Sequence, residues 1–260
     1  MDLGVKGKVA LITGGSEGIG RATAHVLAAE GAKVAICSRG QEALDAAAAE
    51  IKAATGTDVL TISADVTKLE DIERAVASVS AKLGTPTLLV NNAGTSAAAP
   101  FPGVTDETWG YDLDLKLMAA IRVSRLVVPL MQEAGGGSIV NVTAINGKHP
   151  AASSMPTSVS RAAGIALSKG MSKDLASSNI RVNAVCIGLI KSRQISRAAL
   201  ARSGGKSAEE GYALMGANVP LGRVGESEEA ANVIAFLLSD AASYITGVAV
   251  NIDGGMSSAT

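Results

Sequence analysis

Aromatic side chains are scarce in this sequence, with one Trp, three Tyr and two Phe among 260 residues that include 29 Gly. An excess of charge of one sign is also absent, because 23 Lys and Arg face 24 Asp and Glu and leave a net charge of −1. A chain without surplus basic residues lacks the field that holds nucleic acid or an anionic membrane surface. We therefore expect a small-molecule partner, with no nucleic acid and no membrane.

Long hydrophobic runs and cysteines are few. The long uncharged stretch at residues 86–105 contains Asn, Gly and three Pro, which do not suit a membrane-spanning helix. Residues 1–4 lack the basic and apolar segments of a signal peptide. Cys37 and Cys186 lie in apolar strand-like runs, where a free cysteine usually packs as a small hydrophobe, a catalytic role being the alternative. These features predict a cytoplasmic, reducing location, and we predict no metal site.

Short apolar runs alternate with longer helical patterns along almost the whole chain. This alternation is typical of βαβ units around a parallel sheet, and no Pro/Ser-rich linker interrupts it. We predict a single α/β domain over residues 1–260, a doubly wound, Rossmann-like parallel sheet of seven strands with helices on both faces. Its ligand crevice is expected beyond the carboxyl ends of the strands. The predicted strands are Lys8–Thr13, Lys33–Ser38, Asp58–Ser63, Thr87–Asn91, Ser138–Val142, Arg181–Cys186 and Val248–Asn251, and the predicted helices are Ile19–Glu30, Gln41–Ala54, Leu69–Leu83, Asp106–Ala134, Thr157–Ser177 and Ser227–Leu238.

One segment, at about residues 191–220, breaks the alternation. It is polar, contains glycines and has only a weak helical pattern at Ser207–Met215. A long insertion between two core elements is more often a functional lid than a structural necessity, and a surface excursion is the alternative.

A glycine-rich turn joins the first predicted strand to the first predicted helix. It reads Thr13-Gly14-Gly15-Ser16-Glu17-Gly18-Ile19-Gly20. Glycines in this position let the backbone approach a pyrophosphate, which the exposed amides and the positive end of the helix stabilise. A tight turn without a ligand is the alternative, but the position between strand and helix favours dinucleotide binding.

The second predicted strand ends in Ser38-Arg39. A dinucleotide fold that binds NAD would place an acidic residue here, on the ribose hydroxyls. A hydroxyl and a guanidinium instead suit a 2′-phosphate, so the sequence favours NADP(H) over NAD(H). The alternative is that Arg39 is a solvated loop charge.

Together with Asn91-Asn92-Ala93-Gly94, the Ile180–Val185 strand and the terminal Asp253-Gly254-Gly255, these motifs resemble the short-chain dehydrogenase/reductase family over nearly the full chain. The resemblance implies an NAD(P)(H)-binding oxidoreductase that acts on a small carbonyl or alcohol. It implies a homotetramer or homodimer and a substrate loop at residues 191–220. It also implies that the cofactor is held by Gly14, Ser16, Gly18, Ile19, Gly20, Ser38, Arg39, Asp65, Val66, Asn91, Ala93, Gly94, Arg161, Ile190 and Ser192.

Within that set, the resemblance places Asp65 at the adenine, Asn91 near the adenosine ribose, and Ile190 and Ser192 at the nicotinamide carboxamide. Glu17 departs from the family, because its position is often basic in members that prefer NADP.

Members of this family use an Asn-Ser-Tyr-Lys tetrad, in which Tyr is the general acid and Lys lowers its pKa. The family spacing aligns these four positions with Lys116, Ala144, Thr157 and Arg161, and no Tyr in the chain is followed by Lys four residues later. An aliphatic hydroxyl such as Thr157 is a far poorer acid than a phenol. We therefore take Thr157, Arg161, Lys116 and His149 as the candidate catalytic residues; for His149, a surface loop position is the alternative.

Two other functions remain compatible with these substitutions. The first is a redox-inactive, regulatory dinucleotide-binding protein. The second is a lyase or hydratase that uses the Arg161, Thr157 and Lys116 pocket on the same scaffold.

Overall fold

The computed structural model describes residues 2–259, so Met1 and Thr260, the two ends of the predicted domain, lie outside the described residues. Within that range, seven strands form one parallel sheet in the order β3-β2-β1-β4-β5-β6-β7. The strands are β1 (Val9–Thr13), β2 (Lys33–Ser38), β3 (Val59–Ser63), β4 (Pro86–Asn91), β5 (Gly137–Ala144), β6 (Ile180–Ile187) and β7 (Ala249–Ile252).

Helices cover both faces of this sheet, which confirms the predicted doubly wound, Rossmann-like fold. One core cluster lies between the sheet and α1, α2 and α9, and a second lies on the opposite face under α3, α5 and α6. The helices are α1 (Gly18–Ala29), α2 (Gln41–Thr55), α3 (Leu69–Lys82), α4 (Asp106–Leu113), α5 (Ala119–Glu133), α6 (Thr157–Asp174), α7 (Arg193–Arg202), α8 (Ala208–Gly216) and α9 (Ser227–Leu238).

The strands are apolar on both faces because each face is covered. In β1, Ala10 and Ile12 enter the first core cluster, whereas Val9 and Leu11 enter the second. Successive side chains of a strand point to opposite faces, so a strand buried on both sides becomes a continuous hydrophobic run. This is why the strand positions could be predicted to within two residues.

The order of the strands reverses between β1 and β4, which are neighbours in the sheet. Chain leaving β1 and chain leaving β4 therefore diverge to opposite faces and leave a crevice at their carboxyl ends, where ligands bind in open α/β sheets. The glycine-rich turn follows β1, and residues 91–94 lie at the end of β4.

The long helix predicted at Asp106–Ala134 is divided in the structure. Residues Asp114–Met118 form a π-helical segment between α4 and α5, and Lys116 lies in it. Such segments insert a wider turn and are frequent at functional sites. Sequence periodicity alone does not reveal this insertion.

The segment at 191–220 contains more helix than predicted. Besides α8, which matches the predicted Ser207–Met215, the structure adds α7. The two helices pack so closely that a Cβ at Gly211 would lie 1.8 Å from the carbonyl oxygen of Ala199. This segment is therefore a helical pair, to which we give the name α7–α8 lid as a label.

A chain of buried polar side chains crosses the sheet beneath the crevice. Asn91 Nδ2 donates to Asn141 Oδ1 at 2.8 Å and to Ser124 Oγ at 3.2 Å. Asn141 Nδ2 in turn donates to Ser168 Oγ at 2.9 Å. These bonds tie β4, β5, α5 and α6 together inside the core.

No helix among residues 2–259 is both long and apolar enough to span a membrane. The same residues contain no cluster of three or more His, Cys, Asp or Glu side chains placed to bind a metal ion.

Candidate active site

The glycine-rich turn is packed too tightly for larger residues. A Cβ at Gly20 would lie 2.2 Å from the carbonyl oxygen of Gly14, and one at Gly15 would lie 2.6 Å from the Ile36 side chain. Gly14 and Gly18 also adopt positive φ angles of 67° and 54°. The turn therefore requires glycine for its own geometry as well as for access to its backbone.

The amino end of α1 is suited to an anion. Glu17 occupies the N-cap without accepting a hydrogen bond from the helix through its side chain, and the first turn contains no acidic residue. The first backbone N–H groups of a helix lack internal partners, and the helix dipole is positive there. These amides, with Ser16 beside them, are available to a phosphate.

The turn is fixed to the end of β4 by side chains. Asn92 Nδ2 donates to the carbonyl oxygens of Thr13 and Gly14, both at 3.0 Å. Thr13 Oγ1 accepts from the backbone N–H groups of Asn92 and Ala93 at 3.0 and 3.1 Å. The structure thus brings the predicted residues 14–20 and 93–94 together at one edge of the sheet.

The other predicted cofactor residues lie along the same edge. Ser38 and Arg39 end β2, and the exposed Arg39 side chain has no ion-pair partner within residues 2–259. Asp65 follows β3 with Val66, and one of its carboxylate oxygens accepts from the N–H and the hydroxyl of Thr67 at 3.0 and 2.8 Å. Its other carboxylate oxygen has no hydrogen bond within the described chain.

Two predicted cofactor residues have side chains engaged elsewhere. Asn91 points into the core, as described above, and Ser192 Oγ caps α7 by accepting the N–H of Ile195 at 3.2 Å. Contact of either residue with a cofactor would therefore involve the backbone. Ile190 is buried at the entry to the α7–α8 lid.

A buried cluster of polar residues joins α4, the π-helical segment and α6. Lys116 Nζ donates to Asp112 Oδ1 and, at 3.0 Å, to Thr157 Oγ1. Ser160 Oγ donates to the second oxygen of Asp112 at 2.6 Å. The Lys116 and Asp112 side chains are each 1% exposed. We call these four residues the Asp112 cluster.

The hydroxyl oxygen of Thr157 accepts two hydrogen bonds, but its own proton has no well-placed acceptor. Lys116 Nζ and the backbone N–H of Ala97 both donate to Oγ1 at 3.0 Å. The contact from Oγ1 to Asp112 Oδ1, at 3.5 Å, is at the limit of hydrogen bonding. The hydroxyl proton can therefore be directed at another acceptor.

Burial lowers the pKa of Lys116 to about 8. The hydrogen bond to Asp112 opposes this effect by stabilising the charged form, and the nearby positive charge of Arg161 adds to it. An ordinary lysine has a pKa near 10.5. Lys116 can therefore release and regain a proton within a physiological range of pH.

Arg161 lies beside the Asp112 cluster with unused donors. Its Nη1 donates to the carbonyl oxygen of Val142 at 2.7 Å, and its Nη2 lies so near Gly94 that a Cβ there would be 2.9 Å away. Its buried Nε has no hydrogen-bond partner. Burial lowers the pKa of Arg161 to about 10, although the guanidinium remains charged at neutral pH.

The first turn of α7 lies against both sides of the crevice. Arg193 Nη2 pairs with Glu17 Oε1 at 3.0 Å. Gln194 Oε1 accepts the backbone N–H of Ser96 at 3.0 Å. The α7–α8 lid is thus joined to the glycine-rich turn on one side and to the segment after β4 on the other.

Comparison with known proteins identifies the family. Residues 14–257 match a family model described as enoyl-(acyl carrier protein) reductase. The chain belongs to the short-chain dehydrogenase/reductase family. A curated relative, the 3-oxoacyl-(acyl-carrier-protein) reductase FabG of Thermotoga maritima, is 36% identical over 252 residues, which cover 97% of this chain and 98% of the relative.

Two solved structures of this family of NAD(P)-dependent oxidoreductases are closely similar. The L-sorbose reductase of Gluconobacter frateurii, complexed with NADPH and L-sorbose, has a TM-score of 0.95 and 35% identity, with both chains covered fully. An NADPH-bound short-chain oxidoreductase of Pseudomonas aeruginosa PAO1, described as containing an atypical catalytic center, has a TM-score of 0.92 and 33% identity over 99% of both chains.

Of the four candidate catalytic residues, the structure brings three together. Lys116, Thr157 and Arg161 lie side by side, whereas the exposed His149 forms a hydrogen bond of 3.1 Å with Ser258 Oγ through its Nδ1 atom. No hydrogen bond joins His149 to the Asp112 cluster within residues 2–259.

Sequence reasoning missed Asp112 and Ser160. Asp112 precedes Lys116 by four residues, a spacing that places two side chains on the same face of a helix, so their pairing could have been found. The burial of Asp112 could not have been predicted, because the sequence around this residue is polar. Ser160 lies three residues after Thr157 on α6 and had no distinguishing signal.

Proposed function

We propose that the protein is an NADP(H)-dependent oxidoreductase of small carbonyl compounds or alcohols, in which Thr157 and Lys116 transfer the proton. The observation that carries this proposal is the 3.0 Å hydrogen bond from Lys116 Nζ to Thr157 Oγ1. In this proposal the tetrad positions hold Lys116, Ala144, Thr157 and Arg161, so a hydroxyl backed by a lysine replaces the tyrosine.

The residues at the crevice fit a nicotinamide dinucleotide. The free amides of α1 suit a pyrophosphate, and Nη2 of Arg161, which lies beside Gly94, suits a ribose hydroxyl. The free carboxylate oxygen of Asp65 suits an adenine amino group. When bound, the cofactor supplies or accepts a hydride at the substrate carbon.

The preference for NADP(H) rests on Ser38 and Arg39. The Arg39 guanidinium is exposed and free of carboxylate partners within the described chain, so it can bind a 2′-phosphate bidentately. Two relatives of known structure carry NADPH, which supports the same preference. Glu17 departs from the basic residue that NADP-preferring members of the family often have at this position, and its carboxylate is paired with Arg193.

For reduction of a carbonyl group, Thr157 donates its hydroxyl proton to the substrate oxygen as the substrate carbon gains a hydride. Lys116 passes a proton from Nζ to Thr157 Oγ1 and becomes neutral. After the product leaves, Lys116 regains a proton from solvent in the crevice by way of Thr157 Oγ1, and Asp112 holds the amine in place throughout. Oxidation of an alcohol follows the same steps in reverse. Since Lys116 has a pKa of about 8, it can act in either direction near neutral pH.

The experiment compares wild type with Thr157→Val and Thr157→Ser. NADPH affinity is measured by fluorescence, and turnover is followed at the NADPH absorbance band with a panel of small ketones, aldehydes and alcohols. We expect Thr157→Val to lower kcat by about 10²- to 10⁴-fold, and Thr157→Ser, which keeps the hydroxyl, to retain most of the rate. The NADPH Kd is expected to change by less than about two-fold in both variants, because neither removes a cofactor contact.

Three outcomes would contradict the proposal. NADPH binding without turnover of any substrate would favour the redox-inactive alternative. Turnover that persists in Thr157→Val would mean that another group donates the proton. Failure of the wild-type protein to bind NADPH or NADH would remove the oxidoreductase function.

We also propose a cytoplasmic location and a homotetramer or homodimer. The two cysteines, both buried and free, suit a reducing compartment. The family resemblance implies an interface at the predicted helices Asp106–Ala134 and Thr157–Ser177. Tyr111, Met118 and Val159, on α4, the π-helical segment and α6, are 47%, 36% and 41% exposed. Gel filtration with light scattering tests this, and a monomer would refute it.

A further inference from the structure

We infer that Arg193, at the start of α7, binds the cofactor pyrophosphate and supplies the positive charge that the glycine-rich turn lacks. This inference rests on the proposed function, because it concerns the dinucleotide site. The observation that leads to it is the ion pair of 3.0 Å between Arg193 Nη2 and Glu17 Oε1.

Glu17 places a negative charge at the amino end of α1. Glu17 is the N-cap residue of α1, so its carboxylate lies at the end of the helix where a pyrophosphate would bind. An uncompensated carboxylate there would repel the phosphates. Arg193 neutralises it, so the amino end of α1 keeps its attraction for an anion.

The position of Arg193 is fixed by the residues on either side of it. A Cβ at Gly18 would lie 3.6 Å from the Ser192 side chain, which is ordinary van der Waals contact. On the other side of Arg193, Gln194 Oε1 accepts the backbone N–H of Ser96 at 3.0 Å. Arg193 therefore lies over the amino end of α1, while its neighbour reaches the opposite side of the crevice.

The guanidinium of Arg193 keeps donors free. Its side chain is 66% exposed, and within residues 2–259 it forms one ion pair, with Glu17. An arginine offers five N–H donors in a fork that matches phosphate oxygens. Arg193 can thus bind a phosphate of the cofactor through donors that do not face Glu17, while its Nη2 stays paired with the carboxylate.

The pyrophosphate is the phosphate concerned, rather than the 2′-phosphate. The pair of Glu17 and Arg193 lies at the end of α1, whereas the 2′-phosphate is expected at Ser38 and Arg39, at the end of β2. NADH and NADPH both carry the pyrophosphate, so both should depend on Arg193.

The test measures the Kd of NADPH and of NADH, by fluorescence titration, for wild type, Arg193→Ala and Arg197→Ala. Arg197 is an exposed residue one turn further along α7 and has no ion pair within the described chain, so it controls for loss of charge. We expect Arg193→Ala to raise both Kd values by about five- to ten-fold, since an exposed charge-assisted bond is worth less than a buried one. Arg197→Ala is expected to change them by less than about two-fold.

A further variant, Glu17→Gln, removes the competing carboxylate. We expect both Kd values to fall by about two- to three-fold, because Arg193 is released to the phosphate. A rise in both values would mean that the ion pair only holds the lid, and would overturn the inference.

Failure of the inference about Arg193 can be distinguished from failure of the proposed function. If wild type binds NADPH but Arg193→Ala behaves like Arg197→Ala, Arg193 is not a phosphate ligand and the proposed function stands. If Arg193→Ala weakens NADPH alone, the pyrophosphate assignment is wrong. If wild type binds neither cofactor, the proposed function fails first.

Discussion

Replacing Asp112 by Asn tests the charge balance of the buried cluster. The change keeps the size of the side chain but removes the charge that offsets the Lys116 ammonium, whose side chain is 1% exposed. Breaking a buried ion pair from one side costs about 3–5 kcal/mol, because the remaining charge is left without compensation. We expect Asp112→Asn to lower the free energy of unfolding by this amount at pH 5. At pH 7 the loss is limited to about 1.4 kcal/mol, because Lys116, with a pKa of about 8, can lose its proton at that cost.

The double variant Asp112→Asn/Lys116→Met is the matched control. It removes both charges and leaves an apolar side chain of similar length, which is often neutral or stabilising relative to a buried pair. Its free energy of unfolding should return to within about 1–2 kcal/mol of wild type. Urea unfolding at one protein concentration measures all three proteins.

The pH dependence gives a second check with a defined sign. The pKa of Lys116 in the folded protein, about 8, lies below its ordinary value of 10.5. Between these values the unfolded state binds more protons, so stability attributable to Lys116 rises with pH. Without Asp112 the pKa falls further, and the deficit of Asp112→Asn should therefore be smaller at pH 9 than at pH 6.

Two results would refute this reasoning. If Asp112→Asn equals wild type in stability at pH 5, the carboxylate does not stabilise the ammonium. Alternatively, the double variant could be less stable than Asp112→Asn, which would mean that packing rather than charge decides the energy of the cluster.

The rate of carbonyl reduction should fall as the pH rises through about 8, because Lys116 loses its proton. Lys116→Met should lack this fall in its pH–rate profile, and an unchanged fall would contradict proton transfer from Lys116 to Thr157. Arg39→Ala should raise the Kd of NADPH by about ten-fold and leave that of NADH unchanged, and equal losses would place Arg39 away from the 2′-phosphate. Gly211→Ala should separate α7 from α8, since its Cβ would lie 1.8 Å from a carbonyl oxygen of α7, and should speed proteolysis within the lid. Gly170→Ala, where a Cβ meets nothing within 4 Å, is the control, and equal proteolysis of both variants would contradict the expected packing.

The sheet could be predicted from sequence because its signals are local. Apolar runs such as residues 33–38 are short, rich in β-branched residues and bounded by glycine or charge, so their ends coincide with β2. The glycine-rich turn was equally clear, since the residues that form it adjoin in the chain. Helix α7 was missed because Arg193, Gln194 and Arg197 give it a polar surface and only Ala199 is fully buried.

The candidate site could be predicted only in part because its contacts join distant residues. Lys116 and Thr157 were identified by their positions, but their hydrogen bond depends on how α6 packs against the π-helical segment. The sequence shows that Glu17 differs from the basic residue often found at this position in members that prefer NADP. Its pairing with Arg193 could not be predicted, because it depends on the course of the chain after β6. No periodicity in the sequence encodes either distance.

The buried hydrogen bonds among Asn91, Asn141 and Ser168 make one part of the protein less tolerant of substitution than the α7–α8 lid. Strands β4 and β5 and helix α6 share these bonds, so Thr157 and Arg161 are carried on a rigid frame. The α7–α8 lid is joined to the crevice by exposed pairs, which are individually weak. Substitutions at residues 191–220 can therefore change the substrate that is bound without moving Thr157, the proposed proton donor.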